Sequence, residues 1–181
     1  MKVQSEEIFD KVIQFAEEEG WSNLTVRSIS KQIGYSTIKI YSDYGSKENL
    51  LFEIQQGGFR KIRKYYLDAA RQGTDKVQQL LEISCAHVHF SFNNKALYDL
   101  MFSLNGANCN ANILTEKRKV AQELRAFIDP LHQQDKHTVF MQYYALISGL
   151  AIVVREMKGI DEKKLTHFVK SAIQNFIKGI Q

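Results

Sequence analysis

The chain has 181 residues, 44% of them hydrophobic and 24% charged, and a formal net charge of +4. That balance belongs to a globular protein able to bury its own core, and it excludes disordered, collagenous and disulfide-stapled classes. One proline, Pro130, favours long helices, and two cysteines, Cys85 and Cys109, make no disulfide framework and suit a reducing, cytoplasmic setting. Met1 to Gln14 is too charged for a signal peptide. The longest apolar run, Ala145 to Val154, is too short to span a bilayer, so no membrane association is expected.

Ser5 to Glu19 reads as an amphipathic helix, with Ile8, Val12, Phe15 and Ala16 on one stripe and Gly20 closing it. Thr25 is placed to cap a second helix by accepting the Ser28 amide, and Leu24 and Ile29 form a hydrophobic staple. Val26, Ile29 and Ile33 supply its buried face, and Gly34 ends it. Ser36 caps a third helix over Thr37–Tyr44, stopped by Gly45. Trp21 is expected over a small core of Ile29, Ile33, Ile40 and Tyr44. Helix, tight turn, helix is the unit that lays one helix in the DNA major groove.

Lys47 to about Ala70 reads as a longer helix, capped by Ser46 and interrupted or bent at Gly57-Gly58. Thr74 caps a helix from Lys76 to Asn93, and Lys95 to Asn105 makes a shorter one. A polar loop over 106–112 leads to a helix from Ile113 to Ile128, and Asp129 to Lys136 is a turn region. His137 to about Lys158 is the most apolar helix; Gly159 ends it and Asp161 caps a last helix running to Ile177. The fold class is therefore all-α.

From Ile8 to Leu50 the order of residue types resembles the N-terminal domain of the TetR family of bacterial transcriptional regulators. The resemblance rests on Ile8 through Ala16, Gly20-Trp21, Thr25 to Ile29, Ile33 to Ser36, Ile40-Tyr41, Tyr44 and Ser46 to Leu50. It implies an N-terminal three-helix helix-turn-helix domain over 1–46. A linking helix, about 47–70, joins it to a larger ligand-binding and dimerisation domain over 47–181. The implied partners are double-stranded operator DNA, a second copy of the chain and an unidentified small-molecule effector.

In that frame Ser36, Thr37, Ile38 and Lys39 face base edges: Lys39 can donate to guanine and Ile38 can meet a thymine methyl. Ser42 lies on the same helix. Tyr41 and Lys47 match family positions that touch the backbone, Arg27 and Lys31 add phosphate contacts, and Thr25 is a cap with an incidental one. Asp43 reads as a local cap or surface residue rather than a base reader. Charge argues for modest non-specific affinity, because residues 1–60 hold seven Lys/Arg against nine Asp/Glu.

In the C-terminal half, His87, His89, Tyr98, Phe102, Asn105, Met141, Tyr144 and Arg155 are aromatic and polar residues suited to an effector pocket. The two terminal helices are apolar enough to finish a monomeric core or to pack against a twin. The family resemblance favours the twin, with Tyr143, Ile147, Gly149, Leu150, Phe168, Ala172 and Phe176 at the interface.

No phosphate loop, zincin pattern, nucleophile elbow or paired carboxylate arrangement appears, so no catalytic residue and no enzyme is expected. Cys85 and His89 share a helix face but His87 points elsewhere, so no metal site and no cofactor is expected. The reading is a DNA-binding transcriptional regulator, a ligand-responsive repressor acting as a homodimer. The alternatives are a helical interaction protein that binds DNA weakly or not at all, and a small-molecule-binding helical enzyme.

Overall fold

The computed structural model describes residues 2–102 and 111–181, with side chains from Glu6 to Phe102 and from Ile113 onward. Among the described residues there are nine α-helices and no strand. They are α1 (Lys2–Glu19), α2 (Val26–Ile33), α3 (Thr37–Tyr44), α4 (Lys47–Ala70), α5 (Lys76–Asn93), α6 (Lys95–Phe102), α7 (Ala111–Ile128), α8 (Lys136–Glu156) and α9 (Glu162–Ile180). Short 3-10 turns follow α1 and α7. The chain divides into two compact units, residues 1–58 with 95–114 and residues 59–94 with 115–181.

In the first unit α1 packs on α2 and α6, and α2 packs on α3. Its core holds Ile8, Val12, Ala16, Leu24, Ile29, Ile33, Ile40, Leu50 and Ile54, with Leu97, Tyr98 and Met101 from α6. Full burial of an isoleucine is worth roughly 1.5–3 kcal/mol, so a few such side chains hold helices too short to stand alone. Trp21 Nε1 donates to the Ala96 carbonyl at 3.0 Å, and the Gln55 amide donates to the Leu100 carbonyl at 2.5 Å. Both bonds tie α6 into this unit.

The expected interruption at Gly57-Gly58 is corrected: α4 is continuous from Lys47 to Ala70. A Cβ on Gly58 would lie 2.5 Å from Met101 Sδ and 2.9 Å from Leu97 Cδ1. The glycine serves close helix approach, and packing overrides its poor helix propensity.

In the second unit α5 is the central helix, packed on α8 and α9. Leu80, Leu81, Ile83, Val88 and Phe90 meet a core that includes Tyr143, Ile147, Val154, Leu165, Val169 and Ile173. Asp75, not Thr74, caps α5 by accepting the Gln78 amide at 2.9 Å. Both residue types cap well, and the register chose the later one. Asp135 and Asp161 cap α8 and α9 in the same way, and α9 runs on to Ile180.

By length and composition α8 is apolar enough to cross a membrane, which corrects the reading that no segment reaches that length. Its residues Val139, Phe140, Tyr143, Ile147, Leu150, Ala151 and Val154 are nevertheless buried within this one chain.

Candidate nucleic-acid interface

The turn between α2 and α3 is built from local signals. Thr25 Oγ1 accepts the Ser28 amide at 3.0 Å, and the Ser28 hydroxyl accepts the Thr25 amide at 2.9 Å, a reciprocal capping box. Gly34 takes the left-handed conformation, φ 74°, that ends α2. The Ser30 hydroxyl donates to the Tyr35 carbonyl and ties the turn to α2. Ser36 Oγ accepts the Lys39 amide at 3.2 Å and opens α3.

Ile40 alone among the residues of α3 is fully buried, anchoring the helix on its inner side. The outer side carries Ile38, 80% exposed, and Tyr41, 53% exposed, with Lys39, Ser42 and Asp43 also exposed. Ile38 and Tyr41 thus leave apolar surface exposed on a short helix, an element of the kind that a major groove admits.

Lys39 Nζ sits 3.0 Å from Asp43 Oδ2 and 5.3 Å from the centre of the Tyr35 ring. Arg27 and Lys31 are exposed on α2, and Thr25 and Ser36 present exposed hydroxyls that already serve as caps. Thr37 is half-buried. Lys47 Nζ donates to the Leu24 carbonyl at 3.0 Å, so one of its three donors is used inside the protein. Thr25, Arg27, Lys31, Ser36, Thr37, Ile38, Lys39, Tyr41 and Ser42 thus lie on one helix-turn-helix element, and Lys47 opens α4 beside it. Tyr35, which the sequence pattern does not single out, lies beside Lys39.

The residues expected to line an effector pocket fall in both units. His87 is fully buried and its Nδ1 shares a 2.6 Å hydrogen bond with Tyr66 Oη. Burial pushes its imidazole down to about 4, which keeps it neutral. His89 Nε2 shares a 2.9 Å bond with Thr166 Oγ1, with Glu162 Oε1 at 3.8 Å from Nδ1. Partial burial lowers its basicity and Glu162 opposes that. Tyr144 is half-buried and stacks on Phe140, Arg155 is half-buried, and Met141 is exposed. Tyr98 and Phe102 lie in the first unit with ring centres 4.7 Å apart. Asn105 and Cys109 fall outside the described residues. An open depression of about 510 Å³ at the α8–α9 turn is lined by Met157, Lys158, Gly159, Ile160, Lys164 and Phe168, none of them expected to hold an effector. Cys85 and His89 do share a face, both reaching Thr166.

The expected dimerisation residues divide by their burial in the single chain. Tyr143, Ile147 and Leu150 are buried inside the single chain, and Tyr143 Oη shares a 2.9 Å bond with Ser84 Oγ. Side chains already in one core offer no surface to a second copy. Gly149, Phe168, Ala172 and Phe176 do remain at least partly exposed. The outward face of α8 is instead Met141, Ala145, Gly149, Ile152 and Val153. Because α8 is apolar on both sides, spacing alone did not say which stripe faced inward.

Residues 8–54 match the family described as bacterial regulatory proteins, tetR family. No curated protein matches the sequence. Among solved structures, the TetR family transcriptional regulator PfmR from Thermus thermophilus is similar at TM-score 0.74 and 16% identity, over 96% of this chain and 98% of that one. A protein of unknown function from a Rhodococcus species is similar at TM-score 0.80 and 14% identity, over 98% and 94%. AibR, solved with isovaleryl coenzyme A and operator DNA, is similar at TM-score 0.76 and 13% identity, over 93% and 96%.

Proposed function

Residues 8–54 are a TetR-family N-terminal domain within an all-helical chain of matching fold, and from that premise we propose that the protein is a sequence-specific repressor that binds operator DNA as a homodimer and releases it when a small molecule binds. The coarser part, a DNA-binding transcriptional regulator that is not an enzyme, follows from the family domain. The observation that supports sequence-specific binding is α3, seated through the buried Ile40 and the half-buried Thr37 and Tyr44 and presenting Ile38 and Lys39 outward. Selection from random duplex DNA tests it. A regulator enriches a two-fold motif with salt-sensitive affinity, whereas a helical interaction protein retains no duplex above background.

The homodimer reading is supported by one apolar face in the second unit. Ile152 is 59% exposed and Val153 52% exposed on α8, and Phe168 is 38% exposed on α9. A Cβ built on Gly149 meets nothing within 4 Å in the single chain, so this part of α8 is open to close approach. Exposed apolar side chains on two helices that pack together suit an interaction surface, and a two-fold pair gives each half-site its own α3.

The effector reading rests on the second unit's buried polar pairs. Tyr66 with His87 and Ser84 with Tyr143 are internal hydrogen bonds at 2.6 and 2.9 Å in an apolar core. A molecule that exchanged these partners would meet polar groups at defined places, and it would weaken DNA binding by preferring one state of the protein. AibR, of similar fold, was solved with isovaleryl coenzyme A, so acyl-coenzyme A thioesters are a first panel. Release of a selected duplex on titration with a thioester is the expected result.

A further inference from the structure

The Lys39–Asp43 pair on α3 is not explained by helix stability. Lys39 lies in the first turn and Asp43 in the last, so each charge stands at the end of the helix whose partial charge repels it. An acid four residues before a lysine supports a helix better than the order found here. Both side chains are exposed, with 50% and 38% accessible, so burial does not hold them together either. Yet the ammonium has a partner on two sides, 3.0 Å from Asp43 Oδ2 and 5.3 Å above the Tyr35 ring. Tyr35 lies in the turn and Asp43 one α3 turn beyond Lys39, so the ammonium lies along the exposed surface of α3.

The geometry points to Asp43 as a specificity-determining residue of the proposed DNA-binding surface, acting by positioning Lys39. Resting on the DNA-binding reading above, the inference concerns how that surface rejects wrong sequences. A free lysine at a groove edge binds any phosphate, and phosphate contacts carry no sequence information. With the carboxylate at 3.0 Å, phosphate contact by Lys39 brings two anions together. A guanine edge, with neutral O6 and N7 acceptors, takes the same ammonium without that repulsion. Asp43 therefore lowers affinity for arbitrary DNA more than for a matching half-site. The sparse positive charge of residues 1–60 fits a surface that limits unspecific binding.

The test compares wild type, Asp43→Asn, Asp43→Glu and Asp43→Asn combined with Lys39→Ala on a selected duplex and a scrambled one, across a salt series. For Asp43→Asn the scrambled duplex is bound on the order of five- to tenfold more tightly at about 0.1 M salt, with a salt slope steeper by about one. Affinity for the selected duplex changes less, so the ratio falls; Asp43→Glu restores it. In the Lys39→Ala background the Asp43 substitution leaves the ratio unmoved, because there is no ammonium to release. Unchanged helical content and melting show that the fold is not what changed. An Asp43→Asn ratio equal to wild type, or a fall that persists without Lys39, overturns the inference while leaving the DNA-binding reading intact. A wild-type protein that selects no duplex overturns both.

Discussion

The Lys47 ammonium donates to the Leu24 carbonyl at 3.0 Å, across 23 residues of sequence. The bond fastens the first turn of α4 to the residue that leads into α2, so the helix-turn-helix element is closed at its base by a cation. Lys47→Met removes it and leaves the carbonyl to water, at a cost of about 1 kcal/mol because the site is part-buried. Urea titration reads that loss. If the remaining donors also reach a phosphate, the same variant weakens binding alike on all sequences and lowers the salt slope by about one. A stability loss with an unchanged slope confines Lys47 to its structural bond.

Ile29 and Ile40 are each 1% exposed and occupy the core of the first unit from α2 and α3. Truncation of either to alanine costs roughly 2–5 kcal/mol. That rivals the whole stability of a small domain, so both variants lose DNA binding through unfolding. Circular dichroism melts separate them from Lys39→Ala, which keeps its melting temperature and loses specific affinity only.

Acid destabilises the protein in a window set by His87. The unfolded imidazole takes up a proton near 6.5, whereas burial holds the folded ring at about 4. As pH falls from about 6.5 to 4 the unfolded chain binds a proton that the folded chain refuses. The contribution of His87 is therefore complete above 6.5 and declines through that window by about 3 kcal/mol. His89, also lowered by burial, acts in the same direction. Denaturant titrations at about pH 7.5, 5.5 and 4.5 measure the slope, and His87→Leu flattens it. A stability that is level across the window removes His87 as its cause.

Ile152→Arg tests the outward face of α8. The residue is exposed in the single chain, so the charge leaves the fold intact and is buried only if a second copy covers it. Sedimentation at micromolar concentration is expected to shift from dimer to monomer, with operator affinity falling by roughly tenfold or more. A Tyr143→Phe variant, altered in the core beside Ser84, keeps the dimer.

What was legible in the sequence follows from the range of the interactions. Thr25, Gly34, Ser36 and Gly45 set the ends of α2 and α3 through bonds three or four residues long, and spacing reveals such bonds directly. Gly57-Gly58 was misread because a partner from α6, 43 residues beyond Gly58 in the case of Met101, decides that α4 continues. The inward stripe of α8 was hidden for the same reason: Tyr143 and Ile152 are both apolar, and only the seat on α5 tells them apart. Lys39 and Asp43 stood at pairing distance in the sequence, but the third member, Tyr35, lies across a turn whose geometry spacing does not give.

The central claim is that α3 reads bases through its exposed first turn. The most direct measurement is selection from random duplex DNA run in parallel with wild type and Ile38→Asn, a change on an open surface that leaves the core alone. The account predicts two-fold motifs that differ at one base pair in each half-site, with adenine favoured where the isoleucine had met a methyl group. Identical motifs from the two proteins, or no enrichment by wild type, contradict it.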